Sequence, residues 1–105
     1  MKQSPTARSL AHLRKTCQLV QVVERWNAFT KTRHDLFGII DILAIRDGDT
    51  VAVQATSWNN VSARVKKMAE SESIEHLRKA EWTLLIHGWR KNKQGKYELK
   101  EIDIS

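Results

Sequence analysis

The stretch FGIIDILAI at residues 37–45, followed by RDGD and then TVAVQATS at residues 50–57, decides the fold. Its first part is apolar on both faces except for Asp41, the pattern of a strand covered on both sides. Asp47, Gly48 and Asp49 then supply turn chemistry before a second run rich in β-branched residues. A tight antiparallel hairpin at the centre of a sheet is the expectation.

Working downstream, Asn59 or Asn60 can cap a helix whose apolar stripe is Val61, Val65 and Met68. A second short helical piece carries Ile74, Leu77 and Ala80 and ends near Glu81. WTLLIHGW at residues 82–89 reads as a buried strand, and Gly95 turns the chain into a last strand over residues 96–105. The alternation of that strand changes phase between Leu99 and Ile102, which predicts a bulge or an edge position. The helical crossover before residue 82 favours a parallel, right-handed return.

Upstream, Ser4 and Pro5 open an amphipathic helix with Ala7, Leu10, Ala11, Leu13 and Cys17 at helical spacing. LVQVVERW at residues 19–26 reads as one strand, and NAFTKTRHD at residues 27–35 as a cationic loop. The order helix, three strands, helices, two strands predicts a mixed α/β sandwich with helices on both faces. One domain over residues 1–105 accounts for the whole chain.

Composition narrows the function. With 105 residues, 41% hydrophobic and 29% charged, the chain can bury one core, and a multidomain enzyme or a disordered tail is excluded. Its one cysteine, Cys17, has no partner for an internal disulfide and no neighbour at zinc-ligand spacing. The N-terminus has no apolar targeting segment, and the longest apolar run is broken by Asp41, so no membrane segment is expected and the cytoplasm is the expected compartment. Eighteen Lys plus Arg against 12 Asp plus Glu give a net charge of +6, which favours a polyanionic partner such as nucleic acid.

Asp41 is the most informative residue, because an acid in an apolar strand carries a desolvation cost that hydrogen bonds, a cation or a metal must offset. Period two puts Gln54 and Thr56 together on one face of the following strand, away from Val51, Val53 and Ala55. A buried ion pair at Asp41, or bonds from Asp41 to loop amides, beside a satisfied polar patch of Gln54 and Thr56 is the purely structural alternative.

These residues carry a resemblance. The element order, with GIIDILAI followed by Gln54, Ala55 and Thr56, resembles the PD-(D/E)XK nuclease superfamily, especially archaeal-type Holliday-junction resolvases and virus-type replication-repair nucleases. It covers residues 10–89, and the segments RHDLFGIIDILAI and NNVSARVKKM also look like a group of small phage and bacterial proteins sharing that fold. The resemblance implies a restriction-endonuclease-like αβββαβ core and hydrolysis of phosphodiester bonds with Mg²⁺ or Mn²⁺. Asp41 would be the metal-binding acid, Gln54 would stand at the second ligand, and Thr56 would occupy the place of the lysine. A homodimer is also implied, since resolvase-like relatives cut symmetric junctions.

Gln54 can ligate through its oxygen but brings no charge, so a further acid is needed, and Glu24 and Asp35 are the candidates. Resolvase-like enzymes often draw a Glu from the first helix, and this helix has none. Arg64, Lys66 and Lys67 can replace the missing lysine; helical geometry puts Arg64 beside the apolar stripe and the two lysines away from it. Candidates for phosphate or base contact are Lys31, Arg33 and His34 in the cationic loop, Trp58 after the third strand, and Arg90 and Lys91 in the last turn. Two functions follow: a DNA endonuclease for branched or structured duplex, or an inactive nuclease-fold module that binds nucleic acid or a protein partner.

Overall fold

The computed structural model describes residues 3–105. The reading of the N-terminus as free of a targeting segment rests in part on residues 1 and 2, which lie outside the described residues. No helix among the described residues is long and apolar enough to cross a membrane.

Helix α1 (Pro5–Leu13) begins as its sequence dictates: the Ser4 hydroxyl accepts from the Ala7 N–H at 3.1 Å, and Pro5 occupies the first turn. Its inward face differs from the expected stripe. Ser9 and Leu13 are buried and Ala11 is exposed, so a polar residue sits in the seam.

The chain then forms β1 (Leu19–Val22), β2 (Arg25–Asn27), β3 (Thr32–His34), β4 (Ile42–Arg46) and β5 (Asp49–Ser57). A 3₁₀ turn over Trp58–Asn60 leads into α2 (Val61–Ala69) and α3 (Ile74–Lys79), and β6 (Thr83–Lys91) and β7 (Tyr97–Asp103) close the chain. The main sheet has five strands in the order β1-β4-β5-β6-β7. All its neighbours are antiparallel except β5 and β6, which run parallel across the α2–α3 crossover. The expected β4–β5 hairpin is present, with Asp47 and Gly48 both at positive φ (52° and 86°), as a two-residue type I′ turn requires.

Three expectations need correction. LVQVVERW is two strands, because the chain leaves the main sheet at Val23 and Glu24, and the supposed cationic loop is the β2–β3 ribbon, a separate two-stranded sheet. The strand expected from residue 37 begins at Ile42: Phe37 and Gly38 have positive φ, and residues 37–39 form a turn closed by a bridge between Leu36 and Ile40. Asp41 therefore stands at the head of β4 rather than inside it, although its N–H still donates to the Val53 carbonyl at 2.9 Å. The last strand meets its expectation of a bulge or an edge position by the second route: β7 is an edge strand with unbroken register.

The two faces of the sheet carry separate apolar clusters, as alternation demands. Leu13 of α1 packs with Ile42, Ala44, Val51, Val53 and Leu85 on one face. On the other, Val61, Met68, Ile74 and Leu77 of α2 and α3 cover Ala52, Leu84 and Ile86. Gly88 permits the close approach on that side: a Cβ there would collide with the Val61 side chain and meet Trp58 Cα at 3.2 Å.

Candidate functional site

Asp41, Glu24 and Asp35 converge although they come from three separate connections: the head of β4, the exit from β1 and the residue after β3. A carboxylate oxygen of each lies within 4.8 Å of those of the other two. The β2–β3 ribbon brings this about, since its strands return the chain to its starting point and so set Glu24 beside Asp35. Asp41 is 3% exposed.

Gln54 lies on the same face as Asp41. Its Nε2 donates to Asp41 Oδ2 at 2.7 Å and lies 3.5 Å from Asp35 Oδ2, while the Ala55 N–H donates to Asp41 Oδ2 at 2.8 Å. Gln54 is itself 2% exposed, and its Oε1 has no hydrogen-bond partner. Buried polar atoms are nearly always satisfied, so an orphaned acceptor on an amide whose nitrogen faces the carboxylates is an exception that calls for a partner. Among the described residues Asp41 makes no salt bridge.

Burial, foremost, raises the Asp41 pKa from its ordinary 3.8 to about 7; the neighbouring Asp35 adds to the rise, and the Ala55 and Gln54 hydrogen bonds counter it. Cations approach from two sides: Arg33 lies 3.5 Å from Glu24, and Lys67 of α2 lies 3.8 Å from Asp35. Lys67 thus enters the site, whereas Arg64, favoured by helical geometry, is half-buried and makes no ion pair among the described residues. Thr56 is buried along β5 beyond Gln54 and bonds to none of the three carboxylates, and Lys66 is exposed on α2.

The remaining basic candidates form two groups. Lys31, Arg33 and His34 are exposed on the ribbon. Arg90 and Lys91 are exposed at the end of β6, where Arg90 pairs with Glu98 and stacks over Trp58 at 3.8 Å, with Lys100 5.5 Å from the same ring. Trp58, the candidate for base stacking, thus has Arg90 and Lys100 beside its ring.

The sequence reading assigned no role to a second polar cluster on the α1 face. His87, fully buried on β6, contacts Ser9 Oγ through Nδ1 at 2.8 Å and Glu101 Oε2 through Nε2 at 2.8 Å; Trp89 Nε1 also donates to Ser9 Oγ at 2.8 Å. Every group is satisfied if Trp89 donates to Ser9, Ser9 to His87 Nδ1, and His87 Nε2–H to Glu101. Ser9 has no exposed surface, so the arrangement pins α1 to β6 rather than presenting a nucleophile. Ser9 four residues before Leu13 was the signal for it: an i, i+4 pair puts a hydroxyl on the buried face.

Comparison with protein-family models, curated proteins and solved structures finds no match to this chain.

Proposed function

We propose that this protein is a metal-dependent DNA endonuclease of the PD-(D/E)XK type that acts on branched or otherwise structured duplex. The observation that carries the reading is the convergence of Glu24, Asp35 and Asp41 around the buried Gln54 amide, whose oxygen lacks a partner. An all-oxygen donor set with acidic members suits Mg²⁺ or Mn²⁺. Glu24, Asp35 and Asp41 would hold the ion, and the Gln54 oxygen would join them once its amide turns over to bring oxygen in place of nitrogen; the bound ion would polarise a phosphoryl oxygen and activate water.

The chain's own groups have definite parts. Asp41 holds a proton up to about pH 7 in the free protein, so cation binding displaces that proton and strengthens as pH rises. Lys67, paired with Asp35, takes the part of the lysine that Thr56 cannot play, offering positive charge to the phosphate. The order of elements also supports the reading: α1, the antiparallel run β1-β4-β5, a helical crossover and a parallel β6 follow the αβββαβ succession. A homodimer and a cytoplasmic setting belong to the same proposal.

One observation favours the alternative, a non-hydrolytic binding module. Gln54 Nε2 already donates to Asp41, so the buried carboxyl is satisfied without an ion. Incubation with branched and linear DNA plus Mn²⁺ separates the two. The nuclease reading expects wild type to cut branched DNA, and Asp41→Ala to lose more than about 100-fold in rate, since even residues behind metal ligands are worth 10–100-fold. Cleavage that survives the substitution rejects the site; binding without cleavage selects the module.

A further inference from the structure

We infer that the β2–β3 ribbon is a wedge that stacks Phe29 and Trp26 on unpaired bases at a DNA branch. The inference deepens the reading above by naming the feature of the substrate that is recognised. It rests on the DNA part of that reading and not on hydrolysis.

The first observation is exposure. Phe29 is 101% exposed at the ribbon's turn and Trp26 is 61% exposed on β2, within three residues of each other. Apolar aromatic surface left in water at a protruding tip marks an interaction site. Among the described residues the ribbon's strands pair with each other and not with the main sheet. A lone two-stranded hairpin is marginally stable by itself. Nothing in the packing therefore requires two large aromatic residues there.

The second observation is charge. Residues 25–34 contain Arg25, Lys31, Arg33 and His34 and no acid. Aromatic side chains interleaved with cations suit a polyanion whose bases are accessible: the rings stack on base faces while the cations meet the flanking phosphates. An apolar protein partner would gain nothing from the cations.

The third observation is preparation. The Asn27 side-chain oxygen accepts from the Phe29 N–H at 2.9 Å and from the Thr30 N–H at 3.2 Å, so the turn is built and Phe29 is held outward. Beside it, Arg25, Trp26, Phe29 and His34 help line an open concavity of about 460 Å³, within the roughly 300–1,000 Å³ of clefts that take small planar groups. Glu24 and Asp35 flank the ribbon in sequence, so bases held by it bring a strand's backbone to the acidic cluster.

The test uses a forked DNA carrying 2-aminopurine at the branch, with chelator present so that no strand is cut. Wild type should lower the probe's emission, which reports a ring stacked on the unpaired base, and bind the fork more tightly than a paired duplex. Trp26→Ala and Phe29→Ala should each weaken fork binding about tenfold and abolish the emission change, because one stacked base is worth that much. Trp26→Phe should retain both. Equal binding and emission in wild type and the alanine variants overturns the inference, as does wild-type self-association in light scattering that Phe29→Ala removes. Asp41-dependent cleavage that ignores both aromatics also overturns it and leaves the nuclease reading standing. Ribbon-dependent fork binding in a protein that never cuts supports it and removes hydrolysis alone.

Discussion

At Gln54 the amide nitrogen, not the oxygen, faces the carboxylates, because an N–H group between Asp41 and Asp35 is the best substitute for a cation that a neutral side chain offers. The orphaned Oε1 is the consequence. Gln54→Glu tests this directly. It adds a further acid to the cluster, so the metal-free variant should melt below wild type, and Mn²⁺ should raise its melting temperature by more than it raises that of wild type. Each added unit-charge contact near 4 Å is worth on the order of 4 kcal/mol at an effective dielectric of about 20. A purely structural Gln54 predicts the loss of stability with no added response to metal.

His87 shows the same economy on the opposite face. Burial holds its pKa below the ordinary 6.5 against the pull of Glu101, with His12 of α1 reinforcing the depression. The unfolded chain therefore binds the proton more readily, so this group's contribution is complete above pH 6.5 and is lost as pH falls below it. Denaturant unfolding across that range should show the decline, and His87→Gln should flatten it. Ser9→Ala, which strands Trp89 Nε1 and His87 Nδ1, should cost about 1–3 kcal/mol.

Among the elements, those specified by local chemistry were legible and those specified by partners were not. Ser4 with Pro5 gave the start of α1, Asp47 with Gly48 gave the β4–β5 turn, and Val61 with Met68 gave the buried face of α2. The break between β1 and β2 was hidden because Val23 and Glu24 interrupt a β-rich run without Gly or Pro. The ribbon was hidden for a related reason: its turn is built by Asn27, not by a glycine. Asp41 and Gln54 could be paired by alternation and the hairpin register, whereas helical geometry set Lys67 away from the apolar stripe and hid its pairing with Asp35, which is positioned by that ribbon. Gly88 is a further case of specification by a partner. Gly88→Ala should cost about 1–3 kcal/mol in equilibrium unfolding, because the Cβ enters space held by Val61 on α2.

For the whole molecule the account is electrostatic: a chain of net charge +6 keeps three carboxylates together at one end of a basic ribbon. On the proposed function, such an arrangement would draw in polyanions and reserve one point for a cation. DNA affinity should therefore fall linearly in log–log terms with salt, the slope being about −0.9 for each phosphate contacted on duplex. Calorimetric titration of Mn²⁺ into wild type and Asp41→Asn tests the proposed metal site most directly. Wild type should bind one ion per chain, more tightly above pH 7 than below it, and Asp41→Asn should lose that binding. A wild-type protein that takes up no Mn²⁺, or a variant that binds it equally well, would contradict the claim.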